Sequence, residues 1–443
     1  MNRADEADEI ESFFDRLWPI MRSITGPGVR QTHQILGEVL PLTRHEVESG
    51  TEVLDWTVPE EWDVREAYVI TPEGDRILDV RENTLHLLNY SAPFRGTVTK
   101  AELDAHLYSL PEQPDLIPYR TSYYRKNWGF CLSENQRRAL PEGNYEVVID
   151  TDHFPGSLTI SEAVLEGESD QEVFFSTYTC HPSLANNELS GPLLTAFLYR
   201  RIASWRERNL TYRFVFAPET IGAICYLAMR GEELKERLQA GYIATCVGDS
   251  GGFRLKRSKS GSTVADRAAE AVLERRGVEH KVVPFNPSGS DERQYCSLGF
   301  NLPVASISRT AYGDYKEYHT SGDNKSLMDF NAMVETLDLY EEVARTNDRN
   351  SIVRNRVIHG EPQMSKYGEI YPTVHQGYPG EAAMALKWLI HYADGERDLL
   401  GIAEMSGISV DVLAEVAAQG AKMGIFEYAE GEQGRDGAQG QRH

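Results

Sequence analysis

The sequence predicts an α/β fold for the greater part of the chain, with a mostly β segment and a small helical unit added to it. From residue 157 onward, apolar runs such as EVFFSTYTCH and YRFVFAPE alternate with segments of helical pattern such as GPLLTAFLYRRIASWRER. Apolar runs without strict alternation, interleaved with helices, indicate a largely parallel sheet covered by helices. The chain has 443 residues, too many for one compact core, so two or three domains are expected.

The segments before residue 157 differ in pattern. Residues 8–41 predict two helices, separated by Gly-Pro-Gly at 26–28. From about 65 to 155, tyrosines, β-branched residues and short turns such as PEGD and PEGN predict a mostly β domain. We therefore expect one α/β domain from residues 1–64 and 156–360, interrupted by a β-rich inserted domain at 65–155.

The α/β region contains further candidate elements. SLTISEAVLEG, GYIATCVGD, HKVVPF and LPVASISR predict strands. TIGAICYLAMRGEELKERL, STVADRAAEAVLERRG and residues 328–347 predict helices. This interleaving supports a layered α/β domain.

The C-terminal region, residues 361–430, predicts a small winged-helix-like domain. Within 380–428 a helix, a turn at Asp394-Gly395, a short helix, Gly407 and a third helix follow one another. This stretch holds three Lys/Arg against eight Asp/Glu, a net charge of −5, whereas a DNA-reading helix needs positive charge. We therefore expect a packing or interaction module. The Gly/Gln-rich tail, 431–443, is predicted to be disordered.

Composition excludes several classes of function. The net charge of −23 argues against nucleic-acid partners and anionic membrane surfaces. No apolar run reaches the roughly 20 residues of a membrane span, and the acidic N-terminus lacks signal-peptide features. Five scattered cysteines without a CxxC pair predict reduced thiols in a cytoplasmic protein.

Four polar residues follow candidate strands or a nearby loop of the α/β domain: His181, Glu219, Asp249 and His319. Ligands gather at the carboxyl ends of strands in such sheets. Two imidazoles and two carboxylates are what a catalytic zinc site needs, with one position open for water and one carboxylate to remove its proton. Each residue alone also has a structural interpretation, as scaffold, helix first-turn carboxylate or turn residue. Their joint placement favours the functional one.

Five segments in fixed order, CHPSLANNELSG, APETIG, CVGD, GSDERQYCSLGFNLPV and EYHTSGDN, resemble the zinc aminopeptidase family with co-catalytic metal sites. They are most similar to its bacterial aminopeptidase-like branch, which is associated with polysaccharide biosynthesis. That branch combines a three-layer phosphorylase/hydrolase-like aminopeptidase domain with a mostly β inserted domain and a C-terminal winged helix. The resemblance extends from about residue 8 to 428.

The resemblance assigns roles to individual residues. It implies that His181 and His319 are metal-ligand histidines, that Asp249 is a metal-binding aspartate and that Glu219 is the general base. Three positions depart from the family pattern: Asn187 replaces a bridging aspartate, and Thr220 a second glutamate.

The third departure is Ser183, which stands where the family has an aspartate that orients the first histidine. Two dications would repel with so few anionic ligands, so a single zinc ion is predicted. Glu188, beside the vacant bridging position, is a further candidate ligand.

The segment SGSDERQY places Asp291 and Arg293 near the same cleft, where they could hold a substrate ammonium and a carboxylate. A structural ion-pair cluster is the alternative. Tyr312 and Tyr315 could line the cleft and donate to an oxyanion.

We therefore predict a cytoplasmic, mono-zinc, aminopeptidase-like hydrolase acting on a peptide or aminoacyl conjugate, without nucleic-acid or membrane partners. The sequence leaves open whether the chain forms a homo-oligomer. Two alternatives remain open. One is a catalytically inactive binding protein, favoured by Asn187 and Thr220, and the other is a DNA-binding regulator, suggested by the winged-helix pattern.

Overall fold

The computed structural model describes residues 2–367 and 380–429. Numbered along the chain, the strands are β1 (Thr43–Glu48), β2 (Glu52–Val53), β3 (Trp56–Thr57), β4 (Glu61–Ile70), β5 (Arg76–Ile77), β6 (Phe94–Thr99), β7 (Leu107–Tyr108), β8 (Phe130–Cys131), β9 (Asn144–Phe154), β10 (Ser157–Leu165), β11 (Glu172–Tyr178), β12 (Thr211–Ala217), β13 (Leu238–Ala244), β14 (Phe253–Lys256), β15 (His280–Val283), β16 (Val304–Ser308), β17 (Ile352–Asn355), β18 (Asp394–Asp398) and β19 (Phe426–Tyr428).

The helices are α1 (Arg3–Leu17), α2 (Pro27–Leu36), α3 (Lys100–Asp104), α4 (Glu134–Ala139), α5 (Ser190–Ala203), α6 (Ile221–Arg237), α7 (Val264–Arg276), α8 (Glu292–Tyr295), α9 (Phe330–Arg349), α10 (Glu381–Tyr392), α11 (Leu399–Ser406) and α12 (Val410–Lys422). Short 3-10 turns occur at Thr84–His86, Lys325–Leu327 and Met364–Lys366, and a π-helical turn spans Ala185–Leu189.

The central sheet has eight strands in the order β1-β10-β12-β11-β13-β16-β14-β15. Its four middle strands, β12, β11, β13 and β16, run parallel to one another. Antiparallel pairs occur on both sides of them, β10 with β12 and β14 with β16. The sheet is therefore mixed, and the predicted parallel arrangement applies to its middle, where strands buried on both faces carry continuous apolar runs.

Both faces of the sheet are covered, which gives three layers. Side chains of β11 alternate between the faces. Phe175 packs in a core with Leu193 of α5 and Leu337 of α9. Its neighbour Phe174 packs in the opposite core with Ile224 of α6. The carboxyl ends of the parallel strands, where the candidate site lies, are thereby held between rigid layers.

The β-rich segment forms its own sheet beside the α6 layer, in the strand order β5-β4-β9-β6. The long strands β4 and β9 pair antiparallel from Glu61 opposite Phe154 to Ile70 opposite Glu146. Their buried side chains share a core with α6. The inserted sheet is thus packed onto the α/β layers.

The C-terminal helices α10, α11 and α12 pack with a small sheet in the order β18-β17-β19. Gly407, with a φ of 71°, ends α11 in the left-handed conformation that glycine favours. Ala268 of α7 joins this core, and Arg267 binds Asp398 at 2.9 Å. The predicted tail, 431–443, lies outside the described residues. Among the residues described, no helix is both long and apolar enough to cross a bilayer.

Candidate active site

The loop after β11 enters a π-helical turn, Ala185–Leu189, that leads directly into α5. At the start of this turn, Asp323 accepts two backbone hydrogen bonds: Asn186 N donates to Oδ1 at 2.7 Å, and Asn187 N donates to Oδ2 at 3.0 Å. A carboxylate here satisfies amide donors that lack partners inside the turn. Burial raises the pKa of Asp323 to about 6, although these backbone donors lower it. Asp323 therefore fixes the backbone that carries Asn187.

His181 lies three residues beyond β11, and its imidazole is buried. Its Nδ1 is 2.6 Å from Oε2 of Glu188. A carboxylate at Nδ1 fixes the orientation of the ring, so that Nε2 is the nitrogen available to a metal ion once its proton is displaced. Nε2 lies 3.6 Å from Oε2 of Glu219. Glu188, predicted as a ligand, is thus placed to orient the ring of His181.

A buried arginine that the sequence did not indicate supports this pair. Arg22 is fully buried, and its Nε donates to the carbonyl of His181 at 2.8 Å. The same Nε lies 3.7 Å from Oε1 of Glu188, and Nη1 donates to the carbonyl of Leu17 at 2.8 Å. Arg22 therefore offsets the buried charge of Glu188.

The charge state of His181 follows from its neighbours. Burial disfavours the imidazolium, but the Glu188 carboxylate beside the ring raises the pKa of His181 well above its ordinary value. Burial also raises the pKa of the Cys180 thiol to about 11, so this thiol is neutral at physiological pH. A metal ion at His181 would have to displace the proton on Nε2.

Glu219 follows β12 at the start of a tight turn. Ile221 N donates to the carbonyl of Glu219 at 2.8 Å, and Thr220 between them has φ 66° and ψ −76°. This is the γ-turn with a positive central φ, which is rare and strained. Asp291 Oδ1 accepts from Thr220 N at 2.7 Å and so holds the turn. Burial raises the pKa of Glu219, against the opposing charges of His181 and Arg293.

His319 also has an unusual backbone, with φ 56°. The ring of Tyr318 stacks on that of His319 with 4.0 Å between the ring centroids. The ring centroids of His319 and His181 are 5.4 Å apart. Among the described residues, the buried Nε2 of His319 has no hydrogen-bond partner. Burial, followed by the charge of His181, lowers the pKa of His319 to about 3. His319 is therefore neutral and has a nitrogen lone pair for a ligand.

Asp249 occupies a different position from the other predicted ligands. Its Oδ1 accepts from Thr310 Oγ1 at 2.6 Å and from Gly251 N at 2.7 Å, and its Oδ2 accepts from Asn186 Nδ2 at 2.8 Å. These bonds tie Asp249 to the π-helical turn. It lies five residues past the end of β13, and the residues that follow that strand directly are uncharged.

The positions that depart from the family pattern carry no charge in the site. Asn187 donates from Nδ2 to the hydroxyl of Tyr178 at 2.7 Å. The hydroxyl of Ser183 accepts from Thr84 Oγ1 at 2.5 Å. Thr220 contributes its backbone N–H to Asp291. An anionic bridge between two cations is thus missing from these positions.

The predicted substrate-binding residues Asp291, Arg293 and Tyr312 make different contacts. Burial, and then the charge of Glu219, raise the pKa of Asp291 well above its usual range. Arg293 donates from Nε to the carbonyl of Ser290 at 2.9 Å. The ring of Tyr312 is 6.0 Å from that of Tyr318, which stacks on His319. Asp291 therefore contacts the turn that follows Glu219, and Tyr312 lies near the ring that stacks on His319.

Two donor sets bear on a metal ion. Within residues 2–367 and 380–429, Cys180, His181 and Glu188 form the one group of three whose ligand atoms lie within 4.8 Å of one another. However, His181 and Glu188 bind each other there, and the thiol is protonated. The second set is Nε2 of His181 and Nε2 of His319, with the Glu219 carboxylate beside His181. Imidazoles are common ligands of catalytic zinc, although the ligand atoms of His181, His319 and Glu219 do not all lie within 4.8 Å of one another.

Sequence reasoning missed Arg22 and Asp323. Asp323 stands inside the segment EYHTSGDN, four residues after His319, so an acidic residue in a candidate site loop was the available signal. Arg22 lies in the N-terminal region, 159 positions from His181, and no local pattern connects it with the site.

Comparisons with known proteins identify the family. Residues 11–350 match the model described as a domain of unknown function, DUF4910. The chain belongs to the DUF4910 family. Residues 351–428 of this DUF4910 chain match a winged helix-turn-helix model.

Two relatives cover nearly the whole DUF4910 chain. A Clostridium acetobutylicum protein, named for polysaccharide biosynthesis with an aminopeptidase-like domain, is 43% identical over 409 residues, 92% of this chain and 93% of that protein. A crystal structure of a protein from the same species, titled as a candidate peptidase, superposes with a TM-score of 0.88 at 40% identity, covering 97% of this chain and 98% of that one.

The zinc aminopeptidase BSAP of Bacillus subtilis superposes with a TM-score of 0.57 at 12% identity, covering 77% of this chain and 94% of that one. At this identity the similarity shows the fold alone. The predicted α/β, aminopeptidase-like fold with a C-terminal winged helix is confirmed, as is the resemblance on which it rested.

Proposed function

We propose that the DUF4910 chain is a metal-dependent, aminopeptidase-like hydrolase that uses one zinc ion to cleave an amide bond of a peptide or aminoacyl conjugate. The observation that carries the proposal is the arrangement around His181. Its Nε2 lies 3.6 Å from the Glu219 carboxylate, and the ring of His319, whose Nε2 is unpartnered among the described residues, is its neighbour.

His181 and His319 would hold the ion, and Glu188 would orient His181 by accepting a hydrogen bond from its Nδ1–H. Zinc at this position would polarise the scissile carbonyl and activate water. Asp249, whose oxygens bind Asn186, Gly251 and Thr310, would support the π-helical turn instead of binding the ion.

Glu219 would act as the general base, taking a proton from water and passing it to the leaving amine. Its side chain is 23% exposed, so a substrate can reach it. Its raised pKa brings the group closer to neutral pH, where proton transfer in both directions is efficient. The strained turn at Thr220 aims this carboxylate toward His181.

The test is metal content per chain, measured by plasma mass spectrometry on protein purified without chelators, together with a screen of aminoacyl amides. We expect about one zinc ion in the wild type and loss of it in His181→Ala. Glu219→Gln should keep the ion and lose hydrolysis. Loss of the ion in Glu219→Gln would make Glu219 a ligand and overturn its role as the base. Two ions per chain would contradict the single-metal site.

A catalytically inactive, peptidase-like binding protein is the second candidate. The uncharged Asn187, bound to Tyr178, and Thr220, bound through its backbone to Asp291, favour it. No metal after zinc is added back, with a folded protein by circular dichroism, would support this candidate over the hydrolase.

We also propose a cytoplasmic location and a small peptide or aminoacyl substrate as the ligand. All five cysteines are free and buried, which is typical of proteins in reducing compartments. Fractionation of cells producing the tagged protein tests this location, and recovery in a membrane or secreted fraction would contradict it.

A further inference from the structure

A cavity of about 170 Å³ lies over the strand pair β14 and β16. Arg254 and Lys256 of β14 lie opposite Ser308 and Ser306 of β16 in the antiparallel register. Alternate residues of a strand share a face. The four side chains therefore form one wall, which Ser288 and Tyr312 complete.

The lining of this cavity is cationic although the chain has a net charge of −23. It contains Arg254 and Lys256 and no carboxylate. Glu292 binds Lys256 Nζ at 2.7 Å and Asp314 binds Arg254 Nη1 at 2.5 Å, both from outside the lining. These pairs fix the two cations in place.

Hydrogen-bond donors remain for a ligand. A guanidinium has five N–H donors, and for Arg254 the contact recorded among the described residues uses Nη1 alone. Among the described residues, the hydroxyl of Ser308 has no hydrogen-bond partner. Lys256, Ser306 and Ser308 are only 4–5% exposed, and hydrogen bonds to a charged ligand strengthen in such surroundings.

The cavity is connected to the candidate active site by adjacent residues. Asp291 holds the Glu219 turn through Thr220 N, and the next residue, Glu292, binds Lys256 in the cavity wall. Tyr312 lines the cavity, and its ring is 6.0 Å from that of Tyr318. The cavity wall is thus linked to the Glu219 turn through Asp291 and Glu292, and to the ring stacked on His319 through Tyr312.

We propose that this cavity binds an anionic group of the substrate, a carboxylate or a phosphate, and so selects substrates with negative charge near the scissile amide. Assigning the anion to a substrate rests on the proposed function. Binding of an anion in the cavity does not, because none of the proposed metal ligands lines it.

The test is calorimetric titration of the full chain with glutarate, with inorganic phosphate and with the neutral diamide glutaramide. We expect at least one anion to bind and glutaramide not to bind. Preference for glutarate would identify a carboxylate group, and preference for phosphate a phosphate group. Binding of neither anion, or equal binding of glutaramide, would overturn the proposal.

Single-residue variants test whether the anion binds in this cavity. Arg254→Gln should weaken anion binding about tenfold or more, and Ser308→Ala should weaken it less. Arg257→Gln, which removes a nearby arginine that binds Glu270 outside the cavity, should leave it unchanged. His181→Ala should also leave anion binding unchanged, which distinguishes binding in the cavity from binding at the metal site. Unchanged binding in Arg254→Gln, or loss in His181→Ala, would contradict the assignment. Failure of the hydrolase proposal alone would leave these results intact.

Discussion

Nδ1 of His181 lies 2.6 Å from Oε2 of Glu188, seven residues later in the chain. The π-helical turn Ala185–Leu189 makes this contact possible by directing Glu188 back toward the end of β11. The uncharged Ser183 cannot serve as the orienting carboxylate of the imidazole. The chain therefore supplies that carboxylate from a different position, on a turn that Asp323 holds.

Replacing Glu188 with Gln should weaken zinc binding 10–100-fold, because loss of a carboxylate behind a ligand histidine typically has this effect. Competition against a chelating dye measures the affinity. The matched control is Glu274→Gln, an exchange at an exposed glutamate on α7, which should bind zinc as the wild type does. Wild-type affinity in Glu188→Gln would refute the orienting role.

The same substitution should also lower stability. It leaves the fully buried Arg22 without its countercharge, and breaking a buried ion pair costs about 3 kcal/mol. Urea denaturation measures this change, and a stability equal to that of the control would show that Arg22 does not depend on Glu188.

Thr220→Gly should stabilise the protein by about 1 kcal/mol, because glycine adopts the positive φ of 66° without the strain that threonine carries. We expect kcat to fall at the same time, since the turn that positions Glu219 becomes looser. Thr57→Gly, on an exposed strand residue, is the control and should not stabilise. A destabilised Thr220→Gly variant would show that the threonine side chain, and not the backbone geometry, is required.

Asp291 is expected to act through the Glu219 turn. Asp291→Ala leaves Thr220 N without its acceptor, which costs about 1–3 kcal/mol, and kcat should fall with little change in KM. Asp291→Asn keeps an acceptor oxygen and should restore most of both. Steady-state kinetics and urea denaturation provide the two readouts. A rise in KM with unchanged kcat would instead support the predicted contact with a substrate ammonium.

The sequence predicted the arrangement of the α/β domain well, because long apolar runs and helical periodicity carry that information locally. The pairing of strands at the edges of the sheet was harder to predict from the sequence. Phe253–Lys256 is a short strand with two charged side chains, and its pairing with β16 depends on contacts between distant segments. The antiparallel edges of the sheet were missed for this reason.

The candidate site was predictable to the extent that its residues follow strands. His181 and Glu219 do so, and the structure brings them to 3.6 Å. Asp249 lies further along its loop and accepts a hydrogen bond from Asn186, and its predicted role as a metal ligand stays a prediction. The γ-turn at Thr220 could not be predicted, since a strained φ depends on partners such as Asp291.

Asp323 should make stability rise as the pH falls. Its pKa in the folded chain is about 6, above the ordinary 3.8, so the folded state binds more protons than the unfolded state between these values. The group therefore adds up to about 3 kcal/mol of stability on going from pH 7 to pH 4. The Asp323→Asn variant has no carboxyl group to protonate at this position, so it should not gain this stability between pH 7 and pH 4. Urea denaturation across the range should show the wild type gaining relative to the variant, and a constant difference would contradict the raised pKa.

The winged-helix domain should not bind DNA, although its sequence matches a winged helix-turn-helix model. α12 follows the turn at Gly407, and its Asp411 and Glu415 lie 3.1 and 3.5 Å from Arg349 of α9. Residues 380–428 carry a net charge of −5. Phosphate binding needs positive charge on the protein.

A mobility-shift assay of the full chain with duplex DNA at low salt tests this expectation, because low salt favours even weak, non-specific binding. We expect no retardation over the range in which a basic winged-helix protein, run as the positive control, retards the same duplex. Arg349→Gln loosens the contact of α12 with α9 and should still give no shift, since the acidic side chains remain. Retardation by Arg349→Gln alone would mean that α9 masks a DNA-binding surface. Retardation by the wild type that disappears at higher salt would make the domain a nucleic-acid-binding module.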